Sequence, residues 1–225
     1  TFTWGKADSF DRQFARQVAM VFGTEHVDCD YDFGDLASLD ERAARIAEGS
    51  TNRFENHMLH HIPVLEANAD LSLNGVAGDL VLGGSYLRRR WMGEVPDREL
   101  AAILFTWRNQ VVAEADLARA MVDPDLIPEG RRPSELYARL LGTLSALSTP
   151  EGVDRFFLEN RVQRHTSVGT VLMRCAVESA ACFFDYDLID FITGIPAPNR
   201  REHRAYLAMM TEAFPAALRV KWQRT

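Results

Sequence analysis

The chain has 225 residues, 47% hydrophobic and 25% charged, and 25 basic against 32 acidic side chains give a formal net charge of −7. A chain of this length buries a substantial core without disulfides or metals. The acidic balance argues against a general nucleic-acid binder, which needs a basic face.

Residues 1–4 (TFTW) form a β-prone run ended by Gly5. Asp8 or Ser9 then caps a helix in which Phe10, Phe14, Val18 and Val21 recur at helical spacing, and Gly23 stops it. Residues 25–31 alternate like a second strand, so the opening reads strand, helix, strand, a parallel α/β unit. Residues 39–47 read as a short amphipathic helix. Residues 53–68 read as another, bent at Pro63. Residues 70–73 are a third strand that runs directly into Asn74-Gly75. After Trp91 the character changes, and residues 97–120, 133–147, 153–177 and 202–214 carry helical patterns. The expected fold class is therefore α/β: a Rossmann-like parallel sheet flanked by helices over residues 1–92, then a mostly helical part over residues 93–225.

No run of about 18 apolar residues occurs, so no transmembrane helix is expected. No signal peptide is visible, and because the chain opens on Thr1 the natural protein is expected to extend upstream. Cys29, Cys175 and Cys182 match no zinc or redox spacing. They read as reduced, buried apolar groups, in keeping with a cytoplasmic location. Lysine occurs only as Lys6 and Lys221, so chemistry that needs a lysine has few candidates.

The segment 74–84, NGVAGDLVLGG, is the main chemical feature. A strand ending in a glycine-rich turn lets backbone N–H groups approach an anion, at the carboxyl end of a strand where open α/β sheets bind ligands. Asp79 among these glycines could hold a Mg²⁺ that bridges phosphate oxygens. The other reading, a tight turn whose glycines permit close packing, stays open on spacing alone. His57 and His61 could share a helix face and bind a metal, but no acidic third ligand accompanies them, and a polar helix face is favoured. Arg88, Arg89 and Arg90 could meet phosphate or an acidic peptide; a solvated face is favoured.

The stretch NGVAGDLVLGGSY resembles the second signature of the asparagine synthetase C-terminal domain, S-G-[DE]-G-[GS]-D-E-x-x-G-G-Y. TFTWG followed by FARQVAMVFGTEH resembles the family's strand and helix-G-T-x-H segment. Residues 178–188 resemble E-V-R-x-P-F-L-D-x-x-L, and residues 203–207 with Phe214-Pro215 resemble K-x-x-L-R…L-P. The resemblance implies ATP and Mg²⁺ as cofactors and a two-step chemistry: a carboxylate is activated as an acyl-adenylate, and an amine attacks to form an amide. It implies Asp79 as metal ligand, Phe2, Thr3 and Trp4 around adenine, and Asn74, Gly75 and Gly78 along the nucleotide. It makes Lys221 the best available catalytic lysine, although spacing from Pro215 puts the family position closer to Gln223. Trp4 reads equally well as a core aromatic. The partners implied are a small-molecule or peptide carboxylate, a glutaminase domain or upstream segment, and a second copy of the chain, with no nucleic acid and no membrane.

The departures concern charge. No S-G-G-x-D-S phosphate loop occurs in the sequence; in the family it precedes the strand that TFTW matches. The signature serine is Asn74, its acids are Val76 and Leu80, the arginine of E-V-R is Ala180 and the proline is Cys182. Such chemistry relies on electrostatic stabilisation, and valine cannot transfer a proton. A non-catalytic relative that binds nucleotide, peptide or protein is the alternative.

Overall fold

The computed structural model describes residues 1–30, 36–51, 53–108 and 133–221. Strands β1 (Phe2–Gly5) and β2 (Val27–Asp30) pair in parallel, with Phe2 opposite Val27 and Trp4 opposite Cys29. Helix α1 (Phe10–Phe22) is the crossover. Its N-cap is Ser9, whose hydroxyl accepts from the Arg12 N–H, and its C-cap is Gly23 at φ 65, a left-handed conformation that costs glycine little. Charge fastens α1 to the strands. The buried Arg12 donates to Asp30 at 2.6 Å, to Asp28 at 3.2 Å and to the Gly5 carbonyl at 3.1 Å, and Arg16 reaches Asp28 at 2.5 Å. Burial alone would raise the Asp28 pKa; hydrogen bonds and charge from Arg16 and Arg12 outweigh it and hold the carboxyl below its ordinary range. The apolar stripe of α1 stays open to solvent, Phe10 being 67% exposed.

Strand β3 (Leu71–Asn74) pairs in parallel with β4 (Glu178–Ala181), Leu73 lying opposite Ala180. Among the described residues the sheet is thus two separate parallel pairs, where one continuous sheet was expected. Strand β4 lies just past the helical pattern of residues 153–177, within the part expected to be mostly helical. Its sequence, ESAA, has no β-branched or aromatic residue and therefore no strand signature; pairing with β3 decides its conformation.

The helices are otherwise close to expectation. They are α2 (Asp40–Ala47), α3 (Ile62–Asn68), α4 (Gly78–Val81), α5 (Asp97–Arg108), α6 (Pro133–Gly142), α7 (Thr149–Phe157), α8 (Val168–Met173), α9 (Tyr186–Thr193), α10 (Ala197–Arg200) and α11 (Arg204–Ala213). The expected bend at Pro63 is a change of helix type: Arg53–His61 winds as a tight 3₁₀ segment, and Pro63 stands in the first turn of α3, where a missing N–H costs nothing. Leu158–Thr166 widens into a π-helix between α7 and α8. The pattern continuing past residue 108 and the position of Gln223 lie outside the described residues. No helix among the described residues is long and apolar enough to cross a membrane. Cys29 is buried, but Cys175 and Cys182 are exposed; they sit in the turn after α8 and at the start of the 3₁₀ turn Cys182–Phe184, where little packs over them.

Two apolar cores form. The larger centres on Trp91, Leu104, Val153 and Val162 and includes Leu80 and Val81 of α4. The smaller joins Ala43, Leu59, Ile62 and Leu65 to Leu172 and Val177, with Phe2 and Trp4 packed on it. The turn from β3 into α4 enters the larger core at Ala77, Leu80 and Val81.

Candidate functional site

Asn74 shapes that turn from both ends of its amide. Its Nδ2 donates to Ser179 Oγ on β4 at 2.7 Å, and its Oδ1 accepts the Val76 N–H at 3.2 Å. The Gly78 N–H returns to the Gly75 carbonyl at 3.1 Å. Ala77, buried, takes φ 66, uncommon for a residue with a Cβ.

The glycines divide by role. A Cβ on Gly78 would stand 2.8 Å from the Phe183 ring, one on Gly83 would collide with the His203 ring, and one on Gly84 would lie 2.8 Å from the Arg200 carbonyl. These three permit close packing. Nothing approaches the same point on Gly75, which is exposed on the turn. The close-packing reading of the loop thus holds at these three glycines, and Gly75 is left with open space beside it.

A cleft of about 490 Å³ opens between β1, the β3–α4 turn, the Arg53–His61 segment and α8. Phe2 and Trp4, on the same side of β1, line it with their rings stacked 5.6 Å apart. Asn74, Gly75 and Asp79 line it from the turn. Asp79 is exposed, and its carboxylate has no hydrogen bond or ion pair among the described residues. Five of the eight expected site residues thus share one cavity. The other three are absent from its wall: Thr3 alternates to the far side of the strand, Gly78 is covered by Phe183, and Lys221 is exposed at the end of the described chain.

The histidines frame Trp4. The His61 ring stacks on it at 5.2 Å, and His57 lies 6.1 Å away. His57 and His61 do share a face, but among the described residues no cluster of three His, Cys, Asp or Glu side chains is disposed to hold a metal. Burial, with like charge from His57 and His60, pushes the His61 pKa down to about 4. His61 is therefore a neutral ring at neutral pH, with its Nε2 buried and unpartnered.

The altered signature positions separate in space. Val76 lines the cleft, whereas Leu80 is 8% exposed and part of the larger core. A carboxylate at position 80 would be buried in apolar surroundings in this chain, which is costly. Arg88, Arg89 and Arg90 are exposed and away from the cleft wall, with Arg88 lying 5.3 Å over Trp107 and Arg90 4.6 Å over Trp91, the solvated face the sequence favours.

Glu55 and Thr170 also line the cleft and escape sequence reasoning. Glu55 is a second carboxylate in the cavity that holds Asp79, but no spacing links residues 24 positions apart. Only tertiary folding brings them together.

No curated protein and no solved structure matched the chain. The family profile for asparagine synthase matches residues 1–218. That match takes in the glycine turn, both strand pairs and the cleft between them, and the chain belongs to the asparagine synthase family.

Proposed function

We propose that the chain is the ligase portion of an asparagine-synthetase-like enzyme that couples ATP to amide formation. A small-molecule or peptide carboxylate is adenylated, and an amine then displaces AMP. The observation that carries this reading is the meeting, in one cleft, of the Phe2–Trp4 ring pair with Asp79 and the Asn74–Gly75 turn. Aromatic faces suit stacking of a base. Open Gly75 allows a phosphate to approach the backbone closely. The residues fit Mg²⁺ as well: this ion is commonly held by one or two carboxylates plus phosphate oxygens, and Asp79 offers one with no competing partner among the described residues. ATP supplies the adenylyl group and the pyrophosphate leaving group. Glu55, the second carboxylate lining the cleft, is the candidate for a proton transfer that Val76 cannot perform. Lys221 enters by sequence order alone.

The same reading completes the sheet. Two cavities, sharing Phe2, Ser72 and Leu73 as walls, separate β1 from β3, and each strand has a single partner among the described residues. A strand from a segment preceding Thr1, carrying the first phosphate loop, would pair with both edges and unite them in one Rossmann-like sheet. A glutaminase domain would supply ammonia where glutamine is the amine source.

A second reading, a non-catalytic relative that binds nucleotide, peptide or protein, is favoured by the loss of charge at Val76, Leu80 and Ala180. Pyrophosphate release from Mg-ATP, measured with a panel of carboxylates and peptides, separates the two. Release supports the ligase. ATP binding by calorimetry without release supports the binding relative, and absence of both overturns the nucleotide site. Asp79→Ala is expected to weaken Mg-dependent ATP binding about tenfold, or about 1.4 kcal/mol; unchanged affinity removes Asp79 from the site.

A further inference from the structure

A second cavity, of about 330 Å³, lies behind the signature helix. Leu80 and Val81 of α4, Leu158 and Ile192 give it apolar walls. Against them stand two charged groups, Asp154 on α7 and Arg200 at the end of α10. The Arg200 side chain is 2% exposed. Its Nε donates to the Ile195 carbonyl at 2.9 Å and its Nη1 donates to Asp154 Oδ2. Burial raises the Asp154 pKa, and the charge and hydrogen bond of Arg200 partly offset this.

The pair uses only part of its hydrogen-bonding capacity. Arg200 Nη2 and Asp154 Oδ1 have no protein partner among the described residues. The other ionic groups of the wall are occupied: Glu151 accepts from the Ser148 hydroxyl at 2.7 Å, and Arg155 pairs with Glu159. The cavity thus presents one donor beside one acceptor, with zero net charge, in apolar surroundings. A charged ligand would bring an uncompensated charge into this space, which is expensive. A purely apolar ligand would leave both polar atoms unmatched. A carboxamide matches both, its carbonyl accepting from the guanidinium and its N–H donating to the carboxylate. The volume is at the small end of ligand pockets, which begin at roughly 300 Å³.

We propose that this cavity is a binding site for a small neutral carboxamide with an aliphatic or cyclic apolar body, held by the Asp154–Arg200 pair. The site is distinct from the cleft but shares α4 with it: Leu80 and Val81 face the cavity while Asp79, on the same turn, faces the cleft.

The test uses the 225-residue chain and cyclohexanecarboxamide, with cyclohexanecarboxylate, cyclohexylmethylammonium and toluene as comparators, by isothermal calorimetry and thermal melting. Saturable binding of the carboxamide is expected, with both ions at least tenfold weaker. Ile192→Trp fills the cavity and is expected to abolish binding while the far-ultraviolet circular dichroism spectrum is kept. The double variant Asp154→Leu/Arg200→Met removes the polar pair and is expected to lose carboxamide affinity at least tenfold while still taking up toluene; it decides the matter if Ile192→Trp does not fold. No carboxamide binding, equal binding of the ions, or binding that survives either variant would overturn the proposal.

Discussion

Replacing His61 by phenylalanine isolates the consequence of burying a titratable ring behind Trp4. The folded chain protonates His61 only near pH 4, whereas an unfolded chain does so from about pH 6.5 downward. Between these values the unfolded state holds the extra proton, so stability is fully present above about pH 6.5 and falls as the pH drops toward 4. At about 1.4 kcal/mol per pH unit, the group accounts for a loss of about 2 kcal/mol at pH 5 and about 3 kcal/mol at pH 4. His61→Phe keeps a ring against Trp4 but removes both the proton site and the buried, unpartnered Nε2. Urea unfolding followed by far-ultraviolet circular dichroism at pH 7 and pH 5 measures the difference. The natural chain should lose about 2 kcal/mol more than the variant between the two pH values. At pH 7 the variant should be no less stable, because an unsatisfied buried polar atom costs about 1–3 kcal/mol. Equal losses in the two proteins would refute the reasoning, since every other side chain is common to both.

Three further outcomes follow from the geometry. Gly78→Ala drives a Cβ to 2.8 Å from Phe183 and should lower stability by about 1–3 kcal/mol, with Phe183→Leu restoring most of it in a double-mutant unfolding cycle. Asn74→Ala removes the 2.7 Å bond to Ser179 and the 3.2 Å bond from Val76; a loss of about 1–2 kcal/mol is expected by chemical denaturation, together with weaker ATP binding by calorimetry. Arg200→Met leaves Asp154 buried without its partner and should cost about 3–5 kcal/mol, and adding Asp154→Leu should recover most of that loss; an unrecovered double variant in urea unfolding would mean that the pair itself stabilises the fold.

The local parts of this fold were readable from the chain, and the assembled parts were not. Ser9 and Gly23 mark the ends of α1 because capping depends on neighbouring residues. Pro63 marks the bend for the same reason. The turn at Asn74 announces itself through its glycines, yet the sequence could not say which glycine has open space beside it and which packs against Phe183, His203 or Arg200. Those neighbours lie about a hundred residues away or more. Strand β4 was invisible because Glu178–Ala181 becomes extended by pairing with β3. Glu55 was invisible because it reaches the cleft through a 3₁₀ segment that carries no motif. The apolar stripe of α1 gave the right helix but no indication that Arg12, not Phe10, would be the buried anchor.

The two strand pairs have a consequence for handling this protein. Among the described residues, β1 and β3 each pair with one strand and present a row of backbone donors and acceptors on the other side, and Leu71 and Leu73 are 50% and 70% exposed beside that row. Bare edges with apolar neighbours recruit other extended chains, including those of identical molecules. Each strand has four residues, which keeps any one such encounter short-lived, so self-association should rise steeply with concentration and subside when a covering strand occupies the groove. Under the proposed reading, a covering strand and copies of this chain would compete for the space between β1 and β3.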